Sequence, residues 1–266
     1  MAYSLNFFCT CQVICGVLSF SRMDLNGILY VVATPIGNLK DITLRAIEVL
    51  GEVDFVVAES SARALKLLNH LAIRKSIVSI NSYNEERKAS QIAQRLRKGA
   101  RCALITSAGT PGVSDPGNYV VRACYEEGVE VKAVPGPSAA VGAVSISGLF
   151  ADRFLFFGFM PQKKGKQKKI LKELVALPYP MVFYESPRRI KGTLETIREV
   201  FGNRQAVIFK EMTKVHEKTV RGSIDAILES LPEDWVKGEF TIIVEGSKKE
   251  VVRDNGGLPD IGRGIC

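Results

Sequence analysis

Ile28-Leu-Tyr-Val-Val-Ala33 runs straight into Thr34-Pro-Ile-Gly-Asn38, and the same juxtaposition recurs twice downstream. Cys102-Ala-Leu-Ile105 leads into Thr106-Ser-Ala-Gly-Thr-Pro-Gly112 and then Ser114-Asp-Pro-Gly117, and Val129-Glu-Val-Lys-Ala-Val134 leads into Pro135-Gly-Pro-Ser-Ala-Ala140. Apolar runs this short, bounded by Gly/Pro loops, read as buried strands of an α/β sheet. In open α/β sheets ligands bind beyond the carboxyl ends of the strands. Loops that share that edge predict one small-molecule site, because Gly and Pro let backbone approach a ligand and hold it there.

Working outward, the pattern alternates. Asp41 is expected to cap a helix over Ile42–Leu50 closed by Gly51, and Val53–Ala58 reads as a second strand ending at Glu59. Asn84 opens a helix with Ile92, Ala93 and Leu96 on one face, stopped by Gly99. Asp115-Pro116 reads as an N-cap followed by proline at the first helical position, with Val120, Val121 and Cys124 inward and Gly128 at the end. Further on, Phe154–Phe159, Met181–Glu185, Gln205–Glu211, Glu217–Gly222 and Phe240–Glu245 read as strands. Helices are expected over Ile170–Leu177, from Ser186-Pro187 to Val200, and over Ile224–Leu231 behind Ser223. Strand–helix alternation argues a mainly parallel sheet with helices on its faces. We therefore expect two α/β domains, over 27–145 and 146–247, with a cleft between them. Residues 1–26 and 248–266 are expected to be disordered flanks. Val13–Phe20 has no Lys or Arg before it and is too short to span a bilayer, so it fits neither a secretory signal nor a membrane anchor. Met23 is a plausible start.

With 266 residues, 46% of them hydrophobic and 24% charged, the composition is that of a globular enzyme with ample core. The net charge of +8 is uneven. The run from Pro161 to Lys172 holds six lysines and no acid, the footprint expected for a polyanion such as nucleic acid or, more blandly, a solvated surface loop. The six cysteines form no C-x-x-C pair, which leaves no zinc or redox motif. Cys102 and Cys124 read as packed small hydrophobes, and a reducing, cytoplasmic setting fits. No Gly-Lys-Ser/Thr follows Gly112, and G-x-G-x-x-G follows no expected strand, so neither a Walker loop nor a dinucleotide fingerprint is present.

Thr34-Pro-Ile-Gly-Asn-Leu39, Asp41-Ile-Thr43, Ala108-Gly-Thr-Pro111, Asp115-Pro-Gly117, Pro135-Gly-Pro-Ser-Ala139, Phe183-Tyr-Glu-Ser186 and Lys210-Glu-x-Thr-Lys-x-x-Glu217 occur in that order. Together, over about residues 27–247, they resemble the small-subunit ribosomal RNA methyltransferase I family of the tetrapyrrole methylase superfamily. The resemblance implies two α/β domains, a homodimer, and S-adenosylmethionine held in the cleft. It also implies methyl transfer to the ribose 2′-hydroxyl of a cytidine in 16S rRNA, free or in the small ribosomal subunit, with no DNA or membrane partner and no metal.

The cofactor's sulfonium is cationic and favours carbonyl oxygens and π faces over lysine. Pro35, Ser107, Gly109, Thr110, Ser138 and Ala139 offer backbone and small hydroxyls, and Tyr184 offers a ring. Glu185, Lys210 and Glu211 are the catalytic candidates, expected to face the cleft. Lys163, Lys164, Lys166, Lys168, Lys169, Arg188, Arg189 and Lys214 are the candidate RNA contacts. The chain departs from the family pattern where Ala58-Glu-Ser-Ser-Ala62 replaces Ala-Glu-Asp-Thr-Arg, with an arginine one position later at Arg63, and where Ser107 replaces an aspartate. These departures keep two alternatives open. One is a relative that methylates a tetrapyrrole-like small molecule, and the other is an inactive RNA- or ribosome-binding protein.

Overall fold

Each apolar run that ends in a Gly/Pro loop is a strand of one parallel sheet. The structure, a computed structural model, describes residues 27–248 apart from 82, 233, 234 and 236. The flanks expected to be disordered, and Cys9, Cys11, Cys15 and Cys266, lie outside the described residues. The first sheet is built from β1 (Ile28–Val32), α1 (Leu44–Glu52), β2 (Phe55–Ala58), α2 (Ser61–His70), β3 (Ser76–Ser79), α3 (Glu85–Arg97), β4 (Arg101–Ile105), α4 (Asn118–Glu126) and β5 (Glu130–Val134). Its order is β3-β2-β4-β1-β5 with every pairing parallel. The three loop-bearing strands β4, β1 and β5 are therefore neighbours, and their loops leave side by side.

Both faces of this sheet are apolar, as a parallel sheet covered by helices requires. Leu29, Phe55, Val57, Cys102 and Leu104 pack under α3 and α4, and Tyr30, Val32, Val56, Ala103 and Ile105 under α1 and α2. Cys102 and Cys124 are buried in the first of these layers, as small hydrophobes.

The second sheet follows α5 (Ala139–Ile146). It is built from β6 (Leu155–Phe159), α6 (Lys164–Leu174), β7 (Met181–Glu185), α7 (Ile190–Phe201), β8 (Gln205–Lys210), β9 (Lys218–Ser223), α8 (Ile224–Ser230) and β10 (Phe240–Val244). The order is β6-β7-β10-β8-β9, and only β6 and β7 run parallel. Met181, Phe183, Ile208 and Ile242 face α7 and α8, while Val182, Val207, Phe209 and Ile243 face Ala140 and Ala143 of α5. The last helix of the first half thus covers the second sheet. No helix among the described residues is long and apolar enough to cross a membrane.

Several boundaries differ from expectation, each for a local reason. Thr43, not Asp41, caps α1, its side chain accepting from the Ala46 amide, because a short 3-10 turn occupies Leu39–Asp41. Helix α4 begins at Asn118 behind Gly117 (φ 144°), and the buried Glu85 of α3 accepts from the Gly117 and Tyr119 amides, capping it from outside. Helix α7 starts at Ile190, after a turn that spans Ser186–Arg189. The lysine run is not a loop; from Lys164 onward it is the first turns of α6. The unforeseen α2 and β3 fill the stretch between Ser60 and Ile80.

Candidate active site

The three Gly/Pro loops are knitted to one another. Thr34 and Gly109 exchange backbone hydrogen bonds of 2.9 and 3.0 Å, the Ala33 amide donates to the Val134 carbonyl, and the Thr110 hydroxyl donates to the Pro137 carbonyl at 3.5 Å. Gly109 holds φ +80°, a conformation most side chains avoid, and it lets the second loop lie flat against the first. Across from them stand the carboxyl end of β7 and the start of β10. Between the two sheets lies a cavity of about 690 Å³.

Seven of the expected site residues line that cavity, namely Ser107, Gly109, Thr110, Ser138, Ala139, Tyr184 and Glu185. Pro35 does not, and its neighbour Ile36 takes the place. Glu59, Arg63, Asn81, Asp115, Phe159, Glu239 and Thr241 join them, unforeseen. Glu185 turns its carboxylate away, which leaves the lining three carboxylates (Glu59, Asp115, Glu239), a single arginine and no lysine. Ser107 donates to Glu59 Oε2 at 2.6 Å. Asp115 is pushed up to about 6 by burial; the facing carboxylates of Glu59 and Glu239 add to the rise, and Thr106 and Arg63 oppose it. Tyr184 accepts from the Ala140 amide at 3.1 Å, so its ring is tied to the N-terminus of α5, and burial raises its phenol.

Glu185 and Lys210, expected to face the cleft, turn the other way. Side chains alternate along a strand, and Glu185 shares its face with Met181 and Phe183, and Lys210 with Ala206 and Ile208. That face is the one covered by α7 and α8. Glu185 is 1% exposed. Its Oε1 accepts from the Ser186 amide and Arg189 Nε, both at 2.7 Å, and its Oε2 from the Thr193 hydroxyl at 2.7 Å. Arg189 in turn donates Nη2 to the Met160 carbonyl at 3.0 Å. Lys210 is buried, its Nζ 5.4 Å from the centre of the Trp235 ring. Glu211, at φ 53°, accepts from Lys214 Nζ (2.9 Å) and the Glu239 amide (2.8 Å). Burial works against its charge, but Lys214, that amide and Lys210 hold its carboxyl below the usual range.

The basic candidates divide similarly. Lys164 pairs with Glu195 at 3.8 Å, Lys168 with Glu199 at 2.6 Å, and Lys214 with Glu211 and Glu239, each at 2.9 Å. Arg189 is spent on Glu185. Lys163, Lys166, Lys169 and Arg188 are exposed and have no ion pair among the described residues. Strain gathers here as well. Among the described residues, three of the four non-glycine residues at positive φ, Ser114, Glu211 and Thr213, border the cavity or the turn beside it. The Thr213 hydroxyl accepts from the Asn38 amide at 3.1 Å, pinning the first loop to the β8–β9 turn.

Residues 28–228 match the family model described as Tetrapyrrole (Corrin/Porphyrin) Methylases. The ribosomal RNA small subunit methyltransferase I of Haemophilus influenzae is 44% identical over 229 residues, covering 85% of this chain and 81% of that protein. The protein of the same name from Thermotoga maritima is 40% identical over 222 residues, covering 84% of this chain and 100% of its own. In fold, the chain is similar to the methyltransferase CobJ (TM-score 0.63, 18% identity, 83% of this chain and 95% of that one). It is also similar to uroporphyrin-III-C-methyltransferase from Thermus thermophilus (TM-score 0.58, 21% identity, 82% and 94%). The chain belongs to the ribosomal RNA small subunit methyltransferase I family of the tetrapyrrole methylases.

Proposed function

We propose that this chain is an S-adenosylmethionine-dependent methyltransferase acting on the 2′-hydroxyl of a cytidine in 16S rRNA, as a homodimer, on RNA free or within the small subunit. The observation that carries this reading is a carboxylate-lined, lysine-free cavity beside a lysine-rich helix. A cationic ligand fits the first, and a polyanion fits the second. The cavity's volume and its donor set of small hydroxyls, backbone and carboxylates fit the cofactor, with Ser107, Gly109, Thr110, Ser138, Ala139 and Tyr184 to hold it. When bound, the cofactor supplies a methyl group on positively charged sulfur.

The chain's part is positioning and proton handling. Much of the catalysis in an in-line displacement comes from holding the reacting atoms collinear. The loops joined through Thr34, Gly109 and Pro137 give a rigid floor for that. Asp115, on the cavity wall and near 6, suits taking the proton of the acceptor hydroxyl close to neutral pH. Glu185, Lys210 and Glu211 then act as positioning residues, through Arg189, the Trp235 layer and Lys214. Val141, Ile146 and Phe150, exposed on and just after α5, offer an apolar surface for a second copy. Ribose-methylation mapping of 16S rRNA with and without this gene tests the reading. A single cytidine that loses its methyl with the gene supports it, and an unchanged map overturns it.

A further inference from the structure

On the reading above, an acceptor nucleotide drawn out of its stack toward this cavity leaves its base in need of a new face to rest on. One ring at the cavity is free to serve. Phe159 lines it and is 56% exposed, an apolar surface left to water at the end of a strand.

Its direction is built in. Strict alternation in β6 would place Leu155, Phe157 and Phe159 on the face covered by α7 and α8. Instead the pairing with β7 shifts register between Phe156 and Gly158, leaving Phe157 as an extra residue. Phe157 stays on the core face against Phe183, at 5.9 Å between centroids. Phe156 and Phe159 both meet Tyr184 edge-on, at 5.0 and 5.6 Å, on the opposite face. A bulge of this kind re-aims a side chain, and such bulges recur beside active sites. Gly158 makes it possible twice over. It sits at φ +79°, and a Cβ there would lie 2.3 Å from Ser114 Oγ of the facing loop.

Two further placements fit. Tyr184 is partly buried and tied to α5, so Phe159 is the more exposed ring of the pair. The Met160 carbonyl, one residue on, is held by Arg189 and so by Glu185, and the exposed Lys163, Lys166 and Lys169 follow directly. We infer that Phe159 is the platform on which the base of the acceptor nucleotide stacks while the lysines of α6 hold the flanking phosphates.

Stacking on an aromatic ring demands a π face and tolerates its identity. Phe159→Ala should therefore lower kcat/KM for a 16S rRNA fragment by about tenfold or more and leave S-adenosylmethionine affinity within a few-fold. Phe159→Tyr and Phe159→Trp should restore most of the rate, and Phe159→Leu should not. An abasic acceptor nucleotide should slow the wild type to the level of Phe159→Ala and leave that variant unchanged. The fragment should also quench Phe159→Trp fluorescence beyond any change in wild type, whose sole tryptophan, Trp235, is buried. Rescue by leucine, loss of cofactor affinity in Phe159→Ala, or a shift of that variant from dimer to monomer would each overturn the inference. If the wild type transfers no methyl to rRNA, the parent reading fails, and absence of the quench alone decides against the platform.

Discussion

Tyr184, Glu185 and Lys210 show how one residue's step along a strand sorts chemistry from architecture. Tyr184 shares parity with Val182 and reaches the cavity face, whereas Glu185 shares parity with Phe183 and is buried under α7. That alternation is legible in the sequence. Which face is the cavity face is not, because α5, which marks it, lies far upstream. A buried carboxylate with three donors makes Glu185 a linchpin of stability as well as position. Glu185→Gln should cost about 2 kcal/mol in urea unfolding, since Arg189 loses its charged partner; an unchanged midpoint would show the ion pair to be idle. Asp115 carries the opposite sign. Its carboxyl sits near 6 in the folded chain against an ordinary value of 3.8, so between those values the folded state holds a proton that the unfolded state releases. Its effect is therefore a loss of stability as pH rises from about 4 through 6. Asp115→Asn should remove that loss, gaining about 1 kcal/mol at pH 8 after allowance for solvent screening, and nothing at pH 4. Melting curves at the two pH values check it, and an equal gain at both would refute the assignment.

Among the elements, α6 departs furthest from its sequence pattern. A helix is read from apolar periodicity, and its first turns offer only Gln167, whose amide donates to the Pro161 carbonyl at 2.7 Å, and then Leu171. What holds the helix is tertiary: Leu171 and Leu174 pack into the core shared with α7, and exposed Lys164–Glu195 and Lys168–Glu199 pairs flank that contact. Strand β3 is equally faint, a four-residue edge strand that is only partly buried. By contrast β7, and α8 behind its Ser223 cap, follow their patterns closely, because local propensity, cap and burial agree there. The pairs also divide the lysines by task. Lys164 and Lys168 are already neutralised by glutamates, while Lys163, Lys166 and Lys169 stand clear. Replacing the latter three with alanine should reduce the slope of log affinity for rRNA against log salt by about 0.7–0.9 for each phosphate no longer neutralised. Lys164→Ala with Lys168→Ala should change it much less. Equal effects of the two sets would mean that the ion pairs do not survive in solution.

At the scale of the whole molecule, two sheets of different topology meet at one cavity, and the sequence carries their strands better than their meeting. The three neighbouring loops could be read forward from the first half because a parallel sheet gathers all its carboxyl ends on one edge. Glu239 and Thr241 could not, since nothing local says that β10 runs antiparallel to β7 and brings its start there. The closure adds close contacts to the packing of α5 on the second sheet. It includes the bond from the Asn38 amide to Thr213, the close approach of Gly37 to Lys214, and Tyr184 reaching Ala140. A ligand that fills this space touches both sheets, so its binding energy should appear in both. At a hundredfold excess over Kd, S-adenosylmethionine should stabilise the chain by about 2.7 kcal/mol. Hydrogen exchange should slow together in the 107–115 loop, in Tyr184–Ser186 and in 238–241, with α6 unaffected until RNA is added. Segments that contribute nothing to the lining, such as α8, should gain less. Protection confined to the 107–115 loop would mean that the ligand rests on the first sheet alone, and that the second sheet serves only the RNA.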